Sequence, residues 1–366
     1  MWLWQFTTVH FNYEGNWTAL FSTSPDWPRP AFLAPENLYT FPGSLGYDGQ
    51  MYHLIAHDPW ITRGAVSAMD DPALRYRRIL VPALAWALAL GRDPATHAAY
   101  FTVILGFAFL GVYWLSRVMV LQGRHAAWGL TFVLMPATLV SMDRMTVDVA
   151  LGALTVGFVL YSDARWKVLP ILVCAALTRE TGLLLTAGYG VFLLSRRRFA
   201  DMARAAASAV PAIFWYVYVS RHAEASATTP ASDVASLIPL GGWIERVAHA
   251  AVYPLPRWQA LVAVELDYVA LAGIAFLLGH AIWLAWARRW NARAAAIYIF
   301  AGAIAFISSQ SVWQDAFSYG RVATPLMLLL SAESSLAFAP VALVDARIGL
   351  NFLKQIIGVA RGLAGT

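Results

Sequence analysis

Long stretches without a charged side chain are the feature that most limits how this chain can fold. The sequence has no Asp, Glu, Lys or Arg over residues 94–116, 126–142, 149–162, 205–220, 268–287 and 294–314. A helix needs about 20 apolar residues to cross a bilayer, and fewer when its ends snorkel. Only 13% of the 366 residues are charged, against about a quarter in an average soluble domain. We therefore expect an all-α, polytopic transmembrane protein rather than a disordered chain, a coiled coil or an ordinary soluble enzyme.

The pattern predicts about nine to ten membrane spans. Nine are expected at residues 97–119, 125–142, 147–162, 166–178, 181–196, 205–221, 268–287, 294–312 and 322–341. Residues 79–91 are also apolar but short for a span, so an interfacial or re-entrant helix is predicted there. We expect residues 1–340 to form a single polytopic membrane domain, followed by a cytoplasmic amphipathic tail at 341–366.

The positions of the basic residues predict which loops share a side of the membrane. Arginines cluster in loops 196–204 and 288–293, and cytoplasmic loops characteristically hold such an excess. Alternation of the spans then places residues 12–96 and 222–267 outside. The 26 Lys and Arg residues punctuate apolar segments instead of forming one basic tract, so membrane lipid is an expected partner and nucleic acid is not.

The first outside loop contains one segment, from Gly46 to Pro59, whose pattern points to chemistry. Gly46 and Gly49 flank Asp48 and permit a tight backbone that presents its carboxylate. From Gln50 the apolar residues follow a helical spacing, which Pro59 ends. Asp48 is therefore predicted at or just before a helix N-terminus. There it serves either as a helix cap or as a catalytic carboxylate, and the spacing leaves both open.

This segment resembles the GT-C class of membrane glycosyltransferases, and bacterial polytopic proteins of cell-surface glycopolymer formation in particular. The resemblance begins with Tyr47-Asp48-Gly49-Gln50, then Tyr52, Ile55-Ala56 and Asp58-Pro59, and continues with Arg75-Tyr76-Arg77-Arg78-Ile79-Leu80 and Pro82. Only the stretch from Tyr47 to Pro59 is specific. Weaker matches lie at 141–148, 176–182 and 319–325, so the resemblance covers residues 40–330 approximately. The chain departs from the class in lacking a complete first span and a second acid beside Asp48, which puts a metal-binding acidic pair at this position in doubt.

The resemblance implies a GT-C-like topology in a bacterial inner membrane, with juxtamembrane helices in the first outside loop. It implies transfer of a sugar from a polyprenyl-phosphate donor to a glycan, lipid or protein acceptor at the outer face, with Asp48 as catalytic base. The leaving phosphate needs its charge stabilised, and the arginine fork matches phosphate oxygens. Arg321 and Arg179 are therefore expected to bind the donor phosphate. Acceptor-binding or supporting roles are expected for Tyr47, Gln50, Tyr52, His53, Asp143, Asp148, Glu180 and Tyr319.

Simpler interpretations exist for several of these residues. Arg321 could snorkel to the membrane interface, and Arg179 could pair with its neighbour Glu180. The basic group at 75–78 either steers an anionic donor or anchors a helix to lipid headgroups. The alternative to an enzyme is a non-catalytic membrane protein, either a glycolipid transporter or a structural subunit that retains the GT-C fold.

The sequence predicts no cofactor. His53 and His57 lie four residues apart, a spacing that can bind a divalent metal. A third ligand is not evident in the sequence, and loop histidines with ordinary hydrogen bonds are the alternative.

Overall fold

The computed structural model of the protein describes residues 2–223, 235 and 237–364. Over these residues the fold is all-helical, without a β-strand. In chain order the α-helices are α1 Trp2–Asn12, α2 Asp48–His57, α3 Pro72–Arg77, α4 Leu80–Leu88, α5 Asp93–Leu121, α6 Pro136–Arg144, α7 Asp148–Tyr161, α8 Val168–Thr178, α9 Leu183–Ser195, α10 Phe199–Ala207, α11 Val210–His222, α12 Gly241–Ala248, α13 Arg257–Trp286, α14 Ala292–Phe306, α15 Gln310–Trp313, α16 Ala316–Ser331 and α17 Phe338–Ala364. Short 3-10 helices lie at Trp17–Phe21, Ala31–Leu33, Ala65–Ala68, Ala126–Leu134, Glu180–Gly182 and Ser335–Ala337.

Four helical segments in the described chain are long and apolar enough to cross a membrane. They are Asp93–Leu121, Phe199–His222, Arg257–Trp286 and Ser335–Ala364. A fifth crossing is possible if Ala126–Leu134 and Pro136–Arg144, which meet at a bend of 57°, form one broken span. The all-helical fold and these four to five potential spans are those of a helical membrane protein, as the composition predicts.

Several predicted spans form helices shorter than a full crossing. The predicted spans at 147–162, 166–178, 181–196 and 294–312 form apolar helices of 10–17 residues. Polar residues interrupt the apolar run between two of them: the backbone of Arg179 is extended, with φ −164°, and separates α8 from the helix that follows. The element that was predicted at 79–91 is α4, whose nine residues are also too few to span a bilayer.

The C-terminal helix α17 is built into the body of the fold rather than set apart as a tail. It packs along α13, where Arg347 Nε donates to Asp267 Oδ1 at 2.8 Å. Further on, Gln355 Nε2 donates to Asp143 Oδ1 at 2.6 Å, and Asn12 Nδ2 donates to the Gln355 carbonyl at 3.2 Å. The helix begins before the predicted boundary at residue 341 because the apolar run continues through it.

The basic loops lie together at one end of the molecule. Trp290 Nε1 donates to Ser195 Oγ at 2.8 Å, which joins the two loops predicted as cytoplasmic. Arg165 binds Asp201 at 2.9 Å and thereby brings the loop after α7 to the same end. The loops that were predicted to share one side of the membrane are therefore neighbours in the structure. Asp48, Asp148 and Glu180 lie away from this end, at the start of their helices.

The predicted outside loop 222–267 is partly helical. Residues 224–234 and 236 lie outside the described residues. In the remainder, α12 covers Gly241–Ala248, and α13 begins at Arg257, well before the predicted start at 268. Asp267 is therefore a buried helical residue, and Arg246 Nη2 donates to it at 2.7 Å.

Candidate functional site

Asp48 is the first residue of α2, as its flanking glycines suggest. Gly46 has φ +77°, a left-handed conformation that favours glycine. A side chain at Gly49 would place Cβ 2.1 Å from the Arg144 carbonyl oxygen, so glycine lets α2 pack against that backbone. Helix α2 begins after Tyr47 without a side-chain cap. The Asp48 carboxylate binds arginines instead, so the predicted capping role is wrong.

Two arginines from distant parts of the chain bind the Asp48 carboxylate. Arg75 Nη1 donates to Oδ1 at 2.7 Å, and Arg321 Nη1 donates to Oδ2 at 2.7 Å. Arg75 is presented by α3, whose first turn is capped by Asp71 through the Leu74 amide at 3.1 Å. Arg321 lies in the second turn of α16. The Asp48 side chain is 17% exposed and that of Arg321 is 8% exposed, so the pair is largely buried.

Asp148 continues this arrangement at the start of α7. Its Oδ2 accepts from Arg321 Nη1 at 3.3 Å, and its Oδ1 accepts from Arg179 Nη1. Arg321 therefore joins two carboxylates that lie 100 residues apart in the sequence. The Arg179 Nε atom is buried and has no hydrogen-bond partner among the described residues.

Glu180 takes a different partner from its neighbour Arg179. Its Oε2 accepts from Arg78 Nε at 3.2 Å, and Arg78 Nη1 also donates to the Tyr52 hydroxyl at 3.0 Å. The predicted pairing of Arg179 with Glu180 is therefore wrong. We refer to Asp48, Asp148, Glu180, Arg75, Arg78, Arg179 and Arg321 as the arginine–carboxylate cluster.

The cluster holds four arginines and three carboxylates, an excess of one positive charge. Burial raises the pKa of Asp48, but Arg321 and Arg75 lower it more, so that its pKa lies well below the usual range. Asp48 is therefore ionised at neutral pH. Asp70, whose side chain is 41% exposed, binds Arg75 Nη2 at 2.6 Å from the rim of the cluster.

Tyr47 lies against the cluster through its ring. The guanidinium carbon of Arg321 is 5.0 Å from the ring centroid, and that of Arg144 is 4.8 Å away. These distances are those of cation–π contacts. The Tyr47 hydroxyl is buried without a hydrogen-bond partner among the described residues. Burial raises its pKa above the usual range, so it stays a neutral donor.

Besides His53, three predicted site residues lie outside the arginine–carboxylate cluster. Gln50 anchors the preceding loop, with Oε1 accepting from the Ser24 amide at 3.0 Å. Asp143 binds Arg144 at 3.2 Å and also accepts from Gln355 of α17. Tyr319, two residues before Arg321, stacks on Trp313 with centroids 6.0 Å apart. Residues two apart on a helix project to different sides, so Tyr319 does not join Arg321 at Asp48.

His53 belongs to a second group on another side of α2. His53, His57, His97 and Glu36 place one ligand atom each within 4.8 Å of one another. We refer to these four residues as the histidine–glutamate cluster. Sequence reasoning identified two of its members. It missed Glu36 and His97, which come from the preceding loop and from α5 and carry no local pattern that links them to α2.

Two cavities border the histidine–glutamate cluster. One of about 170 Å³ lies under the loop before α2 and is lined by Gln50 and His53. The other, of about 440 Å³, is lined by His97 together with apolar side chains such as Trp2 and Phe101. Neither of these two cavities is lined by Asp48 or Arg321.

Asp58, which the sequence places near the two histidines, is not a member of that cluster. Its carboxylate organises the turn after α2 by accepting from the backbone amides of Thr62 at 2.7 Å and Arg63 at 2.9 Å.

Comparisons were made with protein-family models, curated protein sequences and solved structures. None of the three gave a match to this chain.

Proposed function

We propose that the protein is a glycosyltransferase of the GT-C type. It transfers a sugar from a polyprenyl-phosphate donor to an acceptor at the outer face of a bacterial inner membrane, for cell-surface glycan synthesis. The observation that carries the proposal is the 2.7 Å contact between Arg321 and Asp48, residues 273 positions apart. One is the candidate phosphate-binding cation and the other the candidate base, as a single displacement requires.

The proposed reaction is a displacement with inversion. The acceptor hydroxyl gives its proton to the Asp48 carboxylate while its oxygen forms a bond to the anomeric carbon of the sugar. The bond from that carbon to the donor phosphate breaks, and polyprenyl phosphate leaves with the electron pair. Arg321 and Arg179 would stabilise the charge of the leaving phosphate, for which the unused Nε of Arg179 offers a donor.

Binding of the donor would also change Asp48. In the arrangement described, Arg321 and Arg75 keep the pKa of Asp48 low, and a carboxylate of low pKa is a weak base. A donor phosphate that draws Arg321 away from Asp48 removes one of these two cations. The pKa of Asp48 would then rise toward its usual range, so that donor binding strengthens the base.

The direct test is to assay the full chain in proteoliposomes with a polyprenyl-phosphate hexose that carries a labelled sugar. Bacterial membrane extract supplies acceptors, and release of polyprenyl phosphate is measured. We expect Asp48→Asn to slow the reaction by about 100-fold or more, the contribution typical of a general base.

Asp70→Asn is the matched control for that substitution. It also removes one carboxylate charge from Arg75, but it leaves Arg321 and Asp48 in contact. The melting temperature of each variant is measured to check folding. Equal rates for folded Asp48→Asn and Asp70→Asn would rule out Asp48 as the base.

A non-catalytic role is the second candidate, and one observation favours it. Every carboxylate of the arginine–carboxylate cluster already binds an arginine, as in an ion-pair network that only stabilises the fold. A glycolipid transporter would bind and move the labelled donor across the vesicle membrane without releasing polyprenyl phosphate. A structural subunit would give neither saturable donor binding nor donor consumption.

A further inference from the structure

The ligand atoms of the histidine–glutamate cluster converge on one point. His53 Nε2 is 2.7 Å from His97 Nε2, and His57 Nε2 is 3.2 Å from His53 Nε2. Glu36 Oε2 is 3.0 Å from His97 Nε2 and 3.6 Å from His53 Nε2, while its Oε1 is 3.4 Å from His57 Nε2. Three ring nitrogens and a carboxylate therefore face each other at close range.

The hydrogen bonds at the edge of the cluster determine which nitrogen of His57 faces its centre. His57 Nδ1 lies 2.9 Å from Asp93 Oδ1. Asp93 is ionised, because Arg63 binds both of its oxygens at 2.7 Å, so His57 Nδ1 carries the proton. The neutral ring then presents an unprotonated Nε2 to the other ligands. A carboxylate that holds a histidine in this tautomer is the usual outer partner at a metal site.

Hydrogen bonding among the four residues does not account for the geometry. A proton shared between His53 and His97 can satisfy only that pair of nitrogens. Glu36 Oε2 is buried and accepts no hydrogen bond from the described residues, although two ring nitrogens lie close to it. A buried acceptor without a donor is destabilising, because it has lost its hydrogen bonds to water. A cation at the centre would satisfy all of these lone pairs at once.

The spacing between the ligand atoms fits a small divalent ion. A tetrahedral zinc site with bonds of 2.0–2.1 Å has its ligand atoms about 3.4 Å apart. Five distances between ring nitrogens and Glu36 oxygens, from 2.7 to 3.6 Å, lie around this value, and one ligand atom from each residue lies within 4.8 Å of the others. His53 and His57 are almost fully buried. Metal-ligating histidines are neutral, and the hydrogen bond from His57 Nδ1 to Asp93 leaves its Nε2 available.

We propose that Glu36, His53, His57 and His97 bind one Zn²⁺ ion. Imidazole suits zinc, and four protein ligands are typical of a closed structural site. The ion would tie the loop before α2 and the first turns of α5 to α2 itself. It would thereby fix the helix whose opposite side presents Asp48. The proposal does not depend on the transferase activity, since metal content is measured without any substrate.

The test uses the full purified chain in detergent micelles, equilibrated with Zn²⁺ at a buffered, low free concentration and then desalted. We expect about one zinc per chain by elemental analysis. We expect His97→Asn to weaken zinc binding by more than the 10–100-fold that loss of an outer partner costs. His280→Asn, which removes a buried histidine remote from the cluster, is expected to retain the metal.

Two further measurements keep the test decisive if His97→Asn does not fold. Glu36→Gln keeps the size of the side chain and should also lose affinity. Co²⁺ bound to the wild-type chain should give the intense visible bands of a tetrahedral site. A wild-type chain without retained zinc, wild-type affinity in Glu36→Gln, or a weak six-coordinate cobalt spectrum would each overturn the proposal.

Discussion

Helix α2 presents two clusters that differ in how their polar groups are satisfied. Asp48 and Tyr52, one turn apart, face arginines, and the resulting pairs leave each carboxylate with a cationic partner. His53 and His57, also one turn apart, face another histidine and a carboxylate, and their lone pairs point at each other. In the first cluster each carboxylate binds an arginine, whereas in the second the carboxylate Oε2 of Glu36 accepts no hydrogen bond from the described residues. A buried group of polar side chains therefore indicates a bound ligand only when some of its atoms have no partner within the protein.

The ion pairs of the arginine–carboxylate cluster determine how its substitutions should be chosen. Removal of one member from a buried ion pair costs about 3–5 kcal/mol, because the remaining charge is left without compensation. The arginine–carboxylate cluster should therefore be sensitive to loss of any carboxylate, whether or not it is catalytic. Substitutions that keep the charge separate the two roles better than those that remove it.

Arg321→Lys is such a substitution and has the largest expected effect of the three that follow. Arg321 binds Asp48 and Asp148 through Nη1 and donates from Nε to the Phe317 carbonyl at 3.2 Å. Lysine keeps the charge but loses the fork. We expect affinity for the polyprenyl-phosphate donor or turnover to fall by about 10–100-fold, the loss of one or two charge-assisted hydrogen bonds.

Arg347→Lys is the matched control for Arg321→Lys. Arg347 is also buried and binds an aspartate, Asp267, at 2.8 Å, but it lies outside the arginine–carboxylate cluster. Donor affinity is measured by equilibrium binding in nanodiscs, and turnover by release of polyprenyl phosphate. If both lysine variants match the wild-type chain in binding and turnover, Arg321 does not bind the phosphate.

Asp93→Asn tests the other cluster, and its expected effect is no larger. The substitution keeps the shape of the side chain but removes the charge that holds His57 Nδ1 and Arg63. Loss of such an outer partner should weaken zinc binding by about 10–100-fold. Zinc affinity is measured by competition with a chelator. Asp201→Asn, which removes an acid at the opposite end of the molecule, should leave zinc affinity unchanged.

The two clusters were not equally predictable from the sequence. Asp48, Asp148 and Glu180 begin helices, and Arg321 follows a helix start. The local sequence therefore predicts where each residue lies along its helix. Their pairings were not predictable: Arg179 and Glu180 are neighbours in sequence, yet the extended backbone between α8 and the following helix sends them to different partners.

The missing ligands of the histidine–glutamate cluster illustrate a different limit. The spacing of His53 and His57 gave half of the cluster. His97 lies 44 residues beyond His53, and only the packing of α2 against α5 brings them together. The fold class followed from composition alone, but helix lengths did not. An apolar run is buried either in lipid or in the protein interior, and its composition does not distinguish the two. Several runs that were predicted to span the membrane are therefore short helices.

The smallest expected effect belongs to Tyr52→Phe, which removes one neutral partner from the arginine–carboxylate cluster. The Tyr52 hydroxyl is buried and accepts from Arg78 Nη1 at 3.0 Å. A hydrogen bond to a charged group contributes about 1.5–3 kcal/mol, against about 0.5–1.5 kcal/mol for a neutral one. Arg78 keeps Glu180 as its partner, so we expect a loss of stability near the lower end of the charged range.

Tyr76→Phe is the matched control for the loss of unfolding free energy in Tyr52→Phe. Its hydroxyl is equally buried but donates to the neutral Asp58 carbonyl at 2.9 Å. Both variants delete one hydroxyl from a packed ring, so the difference between their unfolding free energies isolates the charge of Arg78. A larger loss in Tyr52→Phe than in Tyr76→Phe is expected by chemical denaturation in micelles. Equal losses would mean that Glu180 already satisfies Arg78, so that the contact with Tyr52 contributes no more than a neutral hydrogen bond.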